Sequence, residues 1–183
     1  HATLPDGRQN MSIAVQNGRI TEVTEGLQAP AHETVDAGGL LVSPPFVDAH
    51  FHMDSTLSYG QPRVNESGTL LEGIALWGEL KPQLTHDDIV QRALQYCDWA
   101  VARGLLAIRS HVDTSDPSLL PVQALLDVKQ RVAPYLDLQL VAFPQDGVLR
   151  APGGLDNLKR ALDIGVDVVG GIPHFERTYA DGT

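Results

Sequence analysis

The sequence predicts an α/β fold in which a small β module precedes a series of parallel strands joined by helices. Two alternating apolar runs flank Asn17-Gly18, a dipeptide that strongly favours a tight hairpin turn. Further along, strands predicted near positions 105, 136 and 166 start about 30 residues apart, the spacing of βαβ units. These strands are nearly continuous apolar runs, which is typical of parallel strands buried on both faces.

The predicted β module covers residues 1–44. Residues 10–24 form its hairpin, and a second extended stretch follows from Thr34 to Val42. The pair Pro44-Pro45 then separates this module from the rest of the chain, because consecutive prolines continue neither a helix nor a central strand.

After the proline pair, the predicted order of elements is β-α-β-α-β-α-β. The strands are predicted over residues 46–52, 105–112, 136–143 and 166–172, and the helices over residues 85–103, 119–132 and 155–164. The first of these helices has clear ends. Thr85 is a good N-cap, and Asp87 and Asp88 lie in the first turn. Gly104 follows the last turn, where glycine commonly ends a helix.

This alternation fits either an open doubly wound sheet or part of an eight-stranded barrel. A nucleotide-binding doubly wound domain is expected to carry Gly-x-Gly-x-x-Gly or a Walker loop after a strand, and the sequence contains neither. A whole barrel takes about 250 residues, and residues 45–183 supply four strands, about half of one. We therefore expect the remainder of the barrel on the same or a separate chain.

The composition excludes several classes of partner and mechanism. The 183 residues include 13 Lys and Arg against 23 Asp and Glu, a net charge of −10. Clustered positive charge binds phosphate backbones and anionic membranes, so we expect a small-molecule ligand and neither a nucleic-acid nor a membrane partner. The single cysteine, Cys97, excludes a disulfide framework and the Pro-Cys-x-x-Cys class of zinc deaminases, and it favours a cytoplasmic location.

The segment Asp48-Ala49-His50-Phe51-His52 is the strongest chemical signal in the chain. Alternate residues of a strand share a face, so His50 and His52 point to one side and Phe51 to the other. Two imidazoles at this spacing can converge on one metal ion at the carboxyl end of a strand, where barrel active sites lie. On spacing alone, two ordinary surface or core histidines remain the alternative.

The run VDAGGLLVSPPFVDAHFHMD resembles the opening signature of the amidohydrolase superfamily, metal-dependent hydrolases built on a barrel flanked by a β-sandwich. Further stretches resemble, in the same order, the bacterial cytosine deaminase family of that superfamily. They are GQPRVNESGTLLEGIALW, THDDI, RSHVDTSD, VKQRVAPYLDLQLVAFPQDG and GVDVVGGIPHFE. The resemblance, which runs from Asn17 onward, implies the first half of a (β/α)8 TIM-type barrel with a small N-terminal β-sandwich module. Residues 1–44 would be part of the sandwich, and residues 45–183 the first four β/α units.

The resemblance also implies roles for particular residues. His50 and His52 correspond to the first two ligands of one divalent metal ion, Fe(II) or Zn(II). Gln145 corresponds to the glutamine that hydrogen-bonds the amide edge of a pyrimidine, a role that suits a side chain with both a donor and an acceptor. Leu70 corresponds to a position that lines the substrate pocket.

Further polar side chains lie at predicted strand ends: His111, Asp113, His174 and Glu176. None corresponds to a metal ligand of the family, so we expect them to form hydrogen bonds around the metal site. No catalytic residue is expected on this segment. The resemblance places a further His ligand, a proton-shuttling Glu, a second catalytic His and a metal-binding Asp on later strands, beyond Thr183.

The implied activity is metal-dependent hydrolytic deamination of cytosine or a close cytosine-like base, in which metal-activated water attacks the ring carbon that bears the amine and ammonia is released. One alternative is the same chemistry on 5-methylcytosine, isoguanine, creatinine or an amino-triazine. Another is a non-catalytic half-barrel fragment that needs the rest of the protein. The resemblance also implies a homo-oligomer.

Overall fold

The computed structural model describes residues 1–183 of the chain. These residues form two compact units, His1–Pro45 and Phe46–Thr183. The first unit contains strands without helices, and the second alternates strands with helices. None of the helices is both long enough and apolar enough to cross a membrane.

The first unit is built on an antiparallel hairpin of β1, Met11–Gln16, and β2, Arg19–Glu25. Its turn residues Asn17 and Gly18 have φ values of 53° and 72°. A two-residue hairpin turn that matches the twist of its strands requires such left-handed values at both positions, which Asn and Gly adopt readily. The predicted hairpin is confirmed.

Residues 34–42 do not form the continuous extended stretch that the sequence predicts. Their pairing is limited to one parallel bridge, between Leu41 and Thr3. Gly38 and Gly39 both have positive φ, so the chain turns in the middle of this segment. The turn prevents a regular strand from forming.

The second unit contains four strands and four longer helices. The strands are β3 (Phe46–Phe51), β4 (Leu105–Asp113), β5 (Asp137–Phe143) and β6 (Val168–Val169). The helices are α1 (Leu70–Leu80), α2 (His86–Val101), α3 (Leu120–Val132) and α4 (Gly154–Asp163). All strands run parallel, in the sheet order β3-β4-β5-β6. This confirms the predicted α/β class, and the sheet corresponds to about half of a barrel.

Helix α1 has no counterpart in the prediction. Its apolar residues do not follow a single face, since Leu70 and Leu71 are exposed whereas Leu76 is buried. The helix is therefore not evident from apolar periodicity. The helix does carry a start signal, because the Thr69 hydroxyl accepts a 3.3 Å hydrogen bond from the backbone N–H of Glu72.

Strand β6 is shorter than the predicted strand over 166–172. Only Val168 and Val169 pair with β5. At the next residue, Gly170, an added Cβ would lie 2.8 Å from the carbonyl oxygen of Ala142. This close backbone approach admits glycine alone and marks the end of the regular strand.

Helix α2 contributes one apolar face to the core. A capping box begins it: the Thr85 hydroxyl accepts from the N–H of Asp88, and the Asp88 carboxylate accepts from the N–H of Thr85. Ile89, Ala93 and Cys97 follow at four-residue spacing, and all are fully buried. They join residues of α3, β4 and β5 in one apolar cluster that supports the sheet from this side.

Candidate metal centre

Three histidine side chains meet at the carboxyl end of the parallel sheet. His50 lies in β3, His52 follows β3 directly, and His111 lies near the end of β4. Each offers one ring nitrogen, and these nitrogens all lie within 4.8 Å of one another. The ring centroids are 4.1 Å apart for His50 and His111, 5.4 Å for His50 and His52, and 5.5 Å for His52 and His111.

Strand alternation and strand register together create this cluster. Phe51 of β3 pairs with Ser110 of β4. The Phe51 ring turns toward α2, where it stacks on Tyr96 with the ring centroids 4.3 Å apart. His52 follows Phe51 and His111 follows Ser110, so both histidines point to the opposite side of the sheet. The two histidines become neighbours because their strands pair in this register.

Two buried hydrogen bonds fix the ends of β3 and β4 against each other. The N–H of Met53 donates to Oγ of Ser110 at 2.9 Å, and the N–H of Asp113 donates to Oδ2 of Asp54 at 2.8 Å. Burial raises the pKa of Asp54 to about 7, although the hydrogen bond from Asp113 acts in the other direction. Asp54 was not predicted as part of the site; its signal is its position two residues after the second histidine.

The surroundings of the cluster favour neutral imidazole rings. Burial, together with the nearby His111 and His50 rings, lowers the pKa of His52 to about 4. Burial also lowers the pKa of His111. The ring of Phe143 covers one side, with its centroid 5.4 Å from that of His52 and 5.5 Å from that of His111. Neutral imidazole is the form that binds a metal ion.

One nitrogen of the cluster lacks any partner within the chain. Nδ1 of His111 is buried and makes no hydrogen bond. A buried polar atom left in this state costs about 1–3 kcal/mol, so such atoms are normally satisfied. Imidazole nitrogens suit Zn(II) and Fe(II), with metal–nitrogen distances of about 2.0–2.1 Å for zinc. The donor set and the unsatisfied nitrogen both fit a divalent metal ion.

The predicted ligands His50 and His52 thus lie side by side, and the structure adds His111 to them. His111 was predicted to form hydrogen bonds around the site, but its ring nitrogen lies among the clustered nitrogens. Its signal was a histidine near a predicted strand end, in RSHVD. Which strand lies beside β3 cannot be derived from that signal.

The predicted base-binding residues occupy different settings. Gln145 lies two residues after β5 and is half-buried, and its N–H donates to the carbonyl oxygen of Phe143 at 2.9 Å. Because the Phe143 ring packs on the imidazoles, Gln145 lies at the edge of the sheet that carries them. Leu70 is the first residue of α1 and is 73% exposed.

The polar residues beyond β6, His174 and Glu176, make no hydrogen bond to the three histidines. His174 is exposed on a short 3₁₀ helix. The Glu176 carboxylate accepts hydrogen bonds from the backbone N–H groups of Val148, Leu149 and Arg150, the last at 2.9 Å. Glu176 therefore holds the loop after β5, because three successive N–H groups form a cradle for its carboxylate.

Comparisons with known proteins agree with this architecture. A family model described as the amidohydrolase family matches residues 33–180. The solved structure of 5-methylcytosine deaminase from Klebsiella pneumoniae, liganded with phosphonocytosine, is 44% identical with a TM-score of 0.86. That match covers 99% of this chain and 45% of the other. The N-isopropylammelide isopropyl amidohydrolase of Pseudomonas sp. (strain ADP) is 32% identical over 177 residues, which are 94% of this chain and 44% of that protein.

A more distant solved structure is N-isopropylammelide isopropylaminohydrolase from Burkholderia multivorans, at 27% identity and a TM-score of 0.65. The chain spans less than half the length of the relatives it matches. The family match includes the His-x-His strand and the whole parallel sheet, well over half of the chain. The chain belongs to the amidohydrolase family.

Proposed function

We propose that the protein containing this chain is a metal-dependent deaminase that hydrolyses cytosine or a close cytosine-like base, with 5-methylcytosine as the first substrate to test. The observation that carries the proposal is the cluster of three imidazoles at the carboxyl end of the sheet. This cluster lies in a chain that is 44% identical to a 5-methylcytosine deaminase. The partner is then a small nucleobase-like molecule.

His50 and His52 would hold one divalent ion, Fe(II) or Zn(II), with His111 as the outer imidazole beside them. When bound, such an ion lowers the pKa of a water molecule and supplies hydroxide near neutral pH. The two ligands come from β3 and the residue directly after it, and hydrogen bonds through Ser110 and the buried Asp54 fix the position of this segment. That support would keep both rings oriented toward the ion.

Gln145 would orient the base. Its side-chain amide carries one acceptor oxygen and a donor NH₂ group, which match the N–H and C=O of a pyrimidinone edge. The position of Gln145 two residues after Phe143, whose ring packs on His52 and His111, supports this role. The Phe143 ring covers one side of the cluster, and Leu70 would line the pocket.

The reaction forms one C–O bond and breaks one C–N bond at the ring carbon that carries the amine. Water supplies the oxygen and the protons, and ammonia leaves, so no oxidant or reductant is needed. The proton-shuttling acid would come from the remainder of the barrel. In this proposal residues 45–183 are the first four β/α units and residues 1–44 are part of a β-sandwich. The free thiol of Cys97 suits a cytoplasmic location.

An amino-triazine is the second candidate substrate. The supporting observation is the 32% identity to N-isopropylammelide isopropyl amidohydrolase over 94% of this chain. A triazinone ring also presents N–H and C=O groups that an amide such as Gln145 can bind. The same hydrolysis would then release an alkylamine in place of ammonia.

The test is amine release by the full-length protein with a panel of 5-methylcytosine, cytosine, isoguanine, creatinine and N-isopropylammelide. Wild type is compared with the double variant His50→Ala/His52→Ala and with His32→Ala, a matched control because His32 is exposed. We expect turnover of a cytosine-like base that disappears, together with bound metal, only in the double variant. Elemental analysis of the wild type then identifies the ion.

Three outcomes would contradict parts of this proposal. Turnover of N-isopropylammelide alone would favour the triazine reaction. Retained metal and turnover in the double variant would refute the ligand assignment. Absence of turnover with every base, in metal-loaded full-length protein, would favour the non-catalytic alternative.

A further inference from the structure

Lys81, Asp113, Ser115 and Asp146 form a closed ring of hydrogen bonds beside the imidazole cluster, called here the Lys81 ring. Nζ of Lys81 donates to Oδ2 of Asp113 at 3.2 Å and to Oδ2 of Asp146 at 2.9 Å. Oδ1 of Asp113 accepts from the N–H of Ser115 at 2.7 Å. Oγ of Ser115 accepts from the N–H of Asp146 at 3.0 Å, which closes the ring.

The Lys81 ring joins elements that are far apart in the sequence. Lys81 follows α1, Asp113 is the last residue of β4, and Asp146 lies in the loop after β5. The side chain of Asp113 is 4% exposed and that of Lys81 is 18% exposed. Charge-assisted hydrogen bonds shielded in this way are stronger than surface pairs and hold a defined geometry.

The Lys81 ring acts directly on the peptide unit that follows Gln145. The N–H of Asp146 belongs to the peptide bond between Gln145 and Asp146, so the hydrogen bond to Ser115 fixes the orientation of that bond. The Asp146 carboxylate is anchored by Lys81. On its other side, Gln145 is tied to the end of β5 through Phe143. The backbone of Gln145 is thus held at both ends.

We propose that Lys81 is a positioning residue for base binding: through Asp146 it holds the loop that presents Gln145 to the substrate. The inference rests on the proposed function, since it assigns base binding to Gln145. Lys81 acts on the loop and not on the base. Small displacements of a binding group can lower catalytic efficiency by a large factor, so loss of this anchor should weaken substrate binding.

Asp146→Ala is the principal test variant. The Asp146 side chain is 46% exposed, and its removal leaves the Lys81–Asp113 pair in place, so the fold should tolerate it. Lys81→Met removes the hydrogen bonds of Lys81 to Asp113 and Asp146, and Lys81→Arg restores a cation of similar reach. Asp98→Ala is the matched control, because Asp98 is an exposed aspartate of α2 outside the ring.

In the full-length protein we expect Asp146→Ala and Lys81→Met to raise KM about tenfold, with kcat within about twofold of wild type. Lys81→Arg should recover most of the loss, and Asp98→Ala should match wild type. In a Gln145→Ala background, Asp146→Ala should have no further effect, because its effect passes through Gln145. If Asp146→Ala raises KM by the same factor in the wild-type and Gln145→Ala backgrounds, its role is merely structural and the proposal is overturned.

Hydrogen exchange provides a readout that does not depend on activity. We expect faster amide exchange at residues 145–147 in Asp146→Ala and Lys81→Met than in wild type or Asp98→Ala. Unchanged exchange in both ring variants would overturn the positioning role. If the metal-loaded wild type deaminates no base, the proposed function fails, and the exchange result still decides whether Lys81 holds the loop.

Discussion

The indole N–H of Trp77 donates a 2.8 Å hydrogen bond to Oδ2 of Asp113, a side chain that is only 4% exposed. The same oxygen accepts from Nζ of Lys81. Burial opposes the charge of Lys81, but the nearby Asp113 and Asp146 carboxylates hold the pKa of Lys81 above its ordinary value. Two residues of the α1 region thus satisfy a carboxylate that would be costly to bury alone.

Trp77→Phe should lower the free energy of unfolding by about 2 kcal/mol, because a charged acceptor loses one donor. Denaturant unfolding of the full-length protein measures the change. Trp99→Phe is the control: Trp99 is 49% exposed, and its substitution should change stability by less than about 1 kcal/mol. Equal effects of the two substitutions would show that the Trp77 hydrogen bond contributes little.

His111→Ala should weaken metal binding about 10- to 100-fold without abolishing it, because the His111 ring packs against both ligand rings and helps to orient them. His50→Ala and His52→Ala should each abolish stoichiometric binding. Competition with a chelator, combined with elemental analysis, ranks the metal affinities of the three variants. Equal losses in all of these variants would instead make His111 a direct ligand, which its unsatisfied Nδ1 would permit.

Gln145→Ala should reduce kcat/KM for cytosine-like bases about 10- to 100-fold, because the base loses hydrogen bonds that orient it. Gln145→Glu should be at least as harmful, since a carboxylate at neutral pH has no donor for the carbonyl of the base. Gln130→Ala, at an exposed position of α3, is the control. Wild-type kinetics in Gln145→Ala would remove this residue from the binding site.

Gly147→Ala should destabilise the loop after β5 more than Gly153→Ala does. Both glycines have positive φ, but an added Cβ at Gly147 would lie 2.9 Å from Oε2 of Glu176 and 2.9 Å from Cβ of Arg150. No atom lies within 4 Å of the corresponding position at Gly153. We expect about 3 kcal/mol of destabilisation at Gly147 against about 1 kcal/mol at Gly153. Thermal unfolding of the two variants tests the difference.

Cys97 should resist alkylation at pH 8 in the native protein and react once denaturant is added. It is fully buried, and burial raises the pKa of its thiol to about 11 from an ordinary value of 9.0. The neutral thiol therefore contributes to the free energy of unfolding below pH 9. This contribution is lost as pH rises toward 11, because the thiol of the unfolded chain ionises at a lower pH than the buried thiol. The stability difference between wild type and Cys97→Ala should narrow over that interval. Rapid native-state labelling at pH 8 would contradict the burial.

Features encoded by neighbouring residues were predictable. Asn17-Gly18 specifies its own hairpin turn, because both residues tolerate positive φ. Thr85 and Asp88 identify the start of α2, because each caps a backbone group of the other. Such signals act within a few residues, so they need no knowledge of the rest of the fold.

Features that depend on packing were not predictable in the same way. Helix α1 exposes Leu70 and Leu71, so its apolar pattern does not reveal its buried face. Strand β6 ends at Val169, next to the point where Gly170 approaches the backbone of β5. Glu176 binds the loop after β5 through backbone N–H groups, which carry no sequence signal.

The sequence by itself determined that His50 and His52 share one face of a strand, because side-chain alternation is a property of every extended chain. It also determined the alternation of strands and helices, through apolar runs and helix ends. Only the tertiary structure decided that His111 joins the other two histidines and that Lys81 reaches the loop of Gln145. Both depend on the pairing of distant strands, and pairing register is set by the packing of the whole sheet.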